Sequence, residues 1–283
     1  MGRFRESSSP DRVQKVHDKV LSWNAAKGEW YFRTDTDSGF IRNIHGLILE
    51  PSLYRITGKN EDDDSRIYSN LCKNFLHDTL KVHRKTLKGK SVVIGEGTWS
   101  EIEKDVKFEG GRWTKVVGIM LLQGEMALFE DEKLGDYKKT KFKNEICFLY
   151  MKGNAIRLGW SASFEESEIG VMSDDSDGLF FSQNKTEETS GKSKRQTWLQ
   201  PIFKFAQPEE GNKTHDKMLE AGTEAFEKLN GYLEDYFKKE NFQSRLSPDE
   251  EEEEETEDTS RSLKGKRNPL HPPVDDDDED LPF

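Results

Sequence analysis

Arg112-Trp-Thr-Lys-Val-Val-Gly-Ile-Met-Leu-Leu122 decides the fold class. It is rich in β-branched and aliphatic side chains and lacks the polar stripe of a surface helix, so it reads as a strand. It belongs to the most β-like part of the chain, residues 91–160, with Ser91-Val-Val-Ile94, Glu145-Ile-Cys-Phe-Leu-Tyr-Met151 and Ala155-Ile-Arg-Leu-Gly-Trp160. Lys152-Gly-Asn154 marks a hairpin turn between the last two. Gly95, Gly97, Gly118, Gly124 and Gly159 fall inside these runs, where they permit the bulges and tight coiling of a small barrel. Trp99, Trp113 and Trp160 are expected within strands, where core burial is the commoner fate of so large a ring.

Upstream, Val13, Val16, Val20 and Leu21 recur at helical spacing and predict a short amphipathic helix over 11–24. Residues 40–50 and 53–57 read as two strands separated by Pro51-Ser52. A helix is expected next, capped at Asp64 or Ser65, with Ile67, Leu71 and Phe75 on its apolar face and Gly89 as its stop. Downstream, residues 165–195 carry Ser, Asp, Glu, Gly and Lys and read as a long loop. Residues 198–205 return to strand character, with Pro201 pointing to an edge or a bulge. Residues 214–242 form a long helix with Met218, Leu219, Phe226, Leu229, Leu233 and Phe237 on one broad face. The expected fold is mainly β with added helices: a domain over 1–246 ending in that helix, then a disordered acidic tail over 247–283.

The charge arithmetic supports this division. The 283 residues hold 55 acids and 43 bases, a net charge of −12, of which residues 247–283 carry 15 acids and 4 bases. Residues 1–246 keep 40 acids and 39 bases, so the body is almost neutral. Twenty-nine of the 30 aromatics precede residue 247, so the tail has no means of building a core. The opening residues lack a hydrophobic signal segment and no stretch suits a transmembrane helix, which points to a cytoplasmic protein without membrane partners. Cys72 and Cys147 do not make a disulfide framework and read as reduced core thiols.

The tail ends Asp275-Asp-Asp-Asp-Glu-Asp-Leu-Pro-Phe283. Asp278, Glu279 and Asp280 project a negative field, Pro282 stiffens the end, and Phe283 offers an aromatic wedge beside Leu281. A partner with an apolar pocket and a basic rim suits such a peptide. These nine residues resemble the C-terminal tip of bacterial and bacteriophage single-stranded-DNA-binding proteins. The resemblance implies an OB-fold-like barrel that binds single-stranded DNA, and a tip that recruits polymerase, primase or helicase, nuclease or recombinase. The body is longer than the ordinary bacterial domain, which suggests a phage-type member. The plain alternative is an acidic solubility tail.

Binding single strands without sequence preference requires cations for phosphate and aromatic faces for bases. Three segments qualify. Residues 133–143 offer Tyr137, Lys138, Lys139, Lys141, Phe142 and Lys143 in one expected hairpin; residues 81–90 offer Arg84, Lys85, Lys88 and Lys90; and Lys194 and Arg195 lead into Trp198. Read blandly, each lysine cluster is a solvated surface. The sequence contains no phosphate loop, no Gly-x-Ser-x-Gly and no His-Glu-x-x-His, so no enzyme and no cofactor are expected. Asp62-Asp-Asp64 and Asp174-Asp175 read as solvated turn carboxylates. Cys72, His77 and His83 lack the spacing of a zinc set, so no metal is expected. Two competing classes remain: an interaction protein that mimics DNA or the tail and captures host repair factors, and a tail-recruited nuclease. The tail spacer reaches roughly 30 Å as a coil, far enough for its acids to compete with DNA for a basic groove. Deleting residues 247–283 is then expected to raise affinity for an oligonucleotide at low salt in a gel shift. Unchanged affinity rejects self-competition.

Overall fold

The computed structural model describes residues 19–34, 36–87, 89–130, 133–167, 169, 178–190, 197–209 and 211–243. The chain divides into Met1–Lys238 and Lys239–Phe283. Only residues 239–243 of the second unit are described, as the end of a helix. The expectations for residues 11–18, for Asp174-Asp175 and for the tail lie outside the described residues.

Five strands pair into a closed circuit: β1 (Lys19–Asn24), β2 (Glu29–Arg33), β3 (Ser38–Lys59), β7 (Gly111–Glu130) and β9 (Lys138–Met151). Each is antiparallel to the next in chain order, and the circuit closes through a parallel β9–β1 pair. The sheet continues from the far end of β3 through β4 (Arg66–Ser69), β5 (Leu80–Lys85) and β6 (Ser91–Gly97). A two-residue β8 (Lys133–Leu134) pairs with the end of β7. β10 (Phe180–Ser190) pairs with β3 and with β11 (Thr197–Ala206).

The run that decides the fold is buried on both sides of β7. Val117, Ile119 and Leu121 join Leu21, Trp30, Ile48, Cys147, Leu149 and Trp160 in one cluster. The alternating Val116 and Met120 join Leu47, Leu53 and Phe148 in a second, covered by Ala225, Leu229 and Leu233 of α3 (Lys213–Gln243). Burial on both faces explains an unbroken apolar run where a half-exposed strand would alternate. Two glycines let α3 sit this close: a Cβ at Gly118 would stand 2.7 Å from Leu229 Cδ2, and one at Gly222 2.3 Å from Leu47 Cδ2. A third cluster packs Ile102 and Val106 of α1 (Trp99–Phe108) onto Ile56, Ile67, Leu80 and Val82.

Several expectations are corrected. The helix expected over 11–24 is strand β1 where described, with Leu21 buried and the Trp23 Nε1 proton donated to the Leu199 carbonyl. The two strands expected across Pro51-Ser52 are one strand, β3, bulged between Glu50 and Leu53, and the Glu50 carboxylate accepts the Ser52 N–H at 2.8 Å. The helix expected from residue 64 to Gly89 is replaced by β4, a turn-rich link and β5. Asp78 accepts the N–H groups of Lys73 and Asn74, and Asn70 accepts that of Lys81. These side chains compete for the backbone donors that a helix would use.

Trp99, expected in a strand, begins α1, whose Glu101 carboxylate accepts the Thr98 N–H at 2.7 Å. Residues 155–160, expected as a strand, form the π-helical segment Ala155–Ser161 and lead into α2 (Ala162–Glu166). The loop expected over 165–195 contains β10, whose Phe181 and Gln183 are buried and which pairs on two sides. The strand carrying Pro201 and the C-terminal helix occur as expected, and among the described strands β11 pairs with β10 alone, so Pro201 lies on an edge. Cys72 and Cys147 are buried and form no disulfide among the described residues.

Lys115 is buried against Tyr54, and its Nζ donates to the Tyr54 hydroxyl at 3.3 Å. Burial pulls its pKa down to about 8. Below pH 8 both folded and unfolded chains hold this proton, and burying the charge costs stability. Between pH 8 and the unfolded value of 10.5 the folded chain releases the proton while the unfolded chain keeps it, so this group's contribution to stability rises with pH. Lys115→Met is expected to stabilise the fold by up to about 3 kcal/mol at pH 7, with the gain shrinking toward pH 10. Urea unfolding of both proteins at the two pH values checks this, and an equal gain at both rejects it.

Candidate nucleic-acid interface

Three bulges lie side by side in β3, β7 and β9. The β3–β7 register slips between Arg42 and His45, and the β7–β9 register slips between Leu121 and Gln123, where residues 142–144 of β9 oppose Leu122 alone. Asn43 and Asn144, at φ 51° and 54°, take the left-handed backbone that these irregularities require. Asn tolerates that conformation better than most residues.

A bulge reverses which side chains face the core. In β7, Val117, Ile119 and Leu121 point into the circuit's core, but beyond the slip it is Gly124 that faces inward, against Ile41 and Ile44. Gln123 and Glu125 therefore turn outward. The same reversal in β9 sends Phe142 inward and leaves Lys139 and Lys141 outside, opposite Glu125 and Gln123. In β3 it places Arg42 and His45 on this outer face, opposite the same two residues.

Beside this face a hydrogen-bonded network fixes the geometry. The Tyr137 hydroxyl donates to Glu29 Oε2 at 2.6 Å, and the Arg42 guanidinium covers the Tyr137 ring at 4.0 Å. Arg42 Nε also donates to Glu125 Oε2 at 3.1 Å. Burial, reinforced by the Glu29 carboxylate, pushes the Tyr137 phenol well above its ordinary pKa. The Asn43 side chain and Arg42 hold the Glu125 carboxyl below its ordinary value. Burial lowers the pKa of His45, which is neutral at pH 7. Between these groups opens a pocket of about 310 Å³ lined by Asn43, His45, Gln123, Gly124, Glu125, Lys139 and Asn184.

The structure sorts the candidates named from sequence. Lys138, Lys139, Lys141 and Lys143 are all exposed along the first half of β9 and form no ion pair among the described residues. Tyr137 is half-buried, with one ring face taken by Arg42. Phe142 is a correction: it is buried in the first apolar cluster and offers no face to a base. Arg84 is also corrected as a free cation, because it binds Glu109 at 2.6 Å and Asp63 at 3.0 Å. Lys85 and Lys90 are exposed at the β5–β6 hairpin, away from the bulged face in strand order. Trp198 is half-buried on β11; Lys88, Lys194, Arg195 and the tip residues Asp278, Glu279, Asp280, Leu281, Pro282 and Phe283 lie outside the described residues. Sequence reading missed Arg42, His45, Gln123 and Asn184.

Among the described residues no three His, Cys, Asp or Glu side chains converge as metal ligands, and no helix is long and apolar enough to cross a membrane. No protein-family model matches the chain, and neither a curated protein nor a solved structure shows significant similarity to it. Because Phe142 packs into the core, Phe142→Ala is expected to cost about 3 kcal/mol of stability in urea unfolding. Unchanged stability would place that ring at the surface instead.

Proposed function

We propose that the chain is a non-enzymatic single-stranded-DNA-binding protein whose strand lies along the outer face of β9. The observation that carries this reading is the exposed row Lys138, Lys139, Lys141 and Lys143, with Lys139 and Lys141 on the same face as Arg42 and His45. A near-neutral body binds a polyanion only where its cations are gathered and unpaired, and β9 is such a place. The five-strand circuit acts as the barrel that presents this face. Its strands follow chain order, whereas an OB-fold is a Greek key, so the connectivity is not that of an OB-fold.

In this reading the protein coats exposed strands during phage replication, recombination and repair, and melts hairpins by binding their unpaired form. The segment Asp275–Phe283 recruits replication and recombination proteins, and the host bacterial cytoplasm is where they meet.

Replacing Lys138, Lys139, Lys141 and Lys143 together by Gln tests the interface. For single strands the slope of log affinity against log salt is about −0.7 per neutralised phosphate, so the fourfold variant is expected to lose up to about 3 from the slope in anisotropy titrations with a labelled oligonucleotide. An unchanged slope moves the interface elsewhere. Capture of a host protein with no oligonucleotide binding at any salt supports the mimic instead.

A further inference from the structure

We infer that the bulge-lined pocket beside Lys139 binds one unpaired nucleobase by its hydrogen-bonding edge, and favours bases that carry an exocyclic amino group. This inference rests on the strand-binding reading and adds base preference to it.

The pocket is unlike an apolar ligand site. Its walls are the side chains of Asn43, His45, Gln123, Glu125, Lys139 and Asn184, and its floor is Gly124. Small-molecule pockets are mostly apolar and span roughly 300–1,000 Å³. This one is lined by polar side chains around a glycine and lies at the small end of that range, with room for one flat polar group. The side chains of His45, Gln123 and Asn184 make no hydrogen bond among the described residues, so their donors and acceptors are open to a ligand. Glu125 and Asn43 are held in place by the Arg42 network, which makes that wall rigid.

A base edge is a planar row of donors and acceptors, and primary amides match it two bonds at a time, most familiarly at the amino group and adjacent ring nitrogen of adenine. Carboxylates accept from the cytosine amino group. Here the Glu125 carboxylate, the amide oxygens and the neutral His45 ring provide acceptors for an amino group, while the amide N–H groups meet the neighbouring ring nitrogen. Thymine has no amino group to offer. Lys139 on the rim and Lys141 one position along the same face are placed for the flanking phosphates, so a strand held by the lysines would bring its bases past the pocket mouth.

The test is a titration of the full chain with labelled oligo-dA, oligo-dC and oligo-dT, repeated with the double variant Gln123→Ala/Asn184→Ala. The wild type is expected to bind dA and dC at least about fivefold more tightly than dT. The variant is expected to lose that preference while keeping its dT affinity and its salt slope. Gln123 and Asn184 are exposed, and an unchanged urea midpoint would show that the variant folds. Wild-type binding without a dA or dC preference, or a preference that survives in the variant, overturns the pocket assignment while leaving strand binding intact. Failure of the wild type to bind any of the three overturns both.

Discussion

The β3–β7 pair is the constraint on which everything else rests. These two long strands run antiparallel from Gly39↔Leu128 to Gly58↔Gly111 and are covered on both faces over much of their length. One face completes the core of the closed circuit; the other is sealed by α3, with α1 and the β4–β6 extension at the far end. Burying a single Leu, Ile or Phe side chain contributes about 1.5–3 kcal/mol, so the Val116–Leu121 run, buried whichever way each side chain points, supplies a large share of the fold's stability. The strands' length is a consequence. A shorter pair would not span both the circuit and the extension.

Where the cover ends, the strands change character. Continuing the alternation past Leu121 and Ile44 without a slip would point Gln123, Arg42 and Lys141 at the aromatic core, where unpaired charge is costly. The three adjacent bulges resolve this by reversing the alternation, and they also open the backbone enough to leave the pocket lined by Asn43 and Gly124. The same irregularity that keeps the core apolar creates the polar outer face. Site and scaffold are therefore one construction, and the network Tyr137–Glu29–Arg42–Glu125 ties β2, β3, β7 and the residue before β9 together beside it.

The fold was legible in the sequence where burial and local preference agree. The 112–122 run, the 145–151 run, the 198–205 strand and the long C-terminal helix carry signals that tertiary packing only reinforces. The reading failed where periodicity was satisfied by accident. Ile67, Leu71 and Phe75 recur at helical spacing, yet Asn70, Asn74 and Asp78 between them take up backbone donors and the segment becomes strand and turn. At 98–101 the capping signature Thr-x-x-Glu was present but lost beside the β-rich context. The lysines of 133–143 could be found by composition, because free charge is a local property. Arg42, His45, Gln123 and Asn184 could not, because they lie on three separate segments and meet only through strand register. The left-handed Asn43 and Asn144 are the sole local trace of that register, and an isolated Asn in a strand says too little alone.

Charge placement gives the surface its polarity despite a body of almost no net charge. Lys19 is paired with Glu145, Arg84 with Asp63 and Glu109, Lys59 with Asp64, and Lys107 with Glu103. The exposed pairs among them, Lys59–Asp64 and Lys107–Glu103, contribute little stability, about 0–1 kcal/mol each, but every pair cancels a cation's field. The first half of β9 is left with lysines that have no such partners among the described residues, and at roughly physiological salt their field extends only about 8 Å. These lysines therefore attract a polyanion only in the neighbourhood of the bulged face, where Arg42 pairs with the acid Glu125. A uniformly basic protein would hold duplex and single strand alike by charge. Under the strand-binding reading a near-neutral body must rely as well on what lies beside its basic row, and here that is a face of amides, an imidazole and a pocket, groups able to meet the base edges that pairing covers in a duplex.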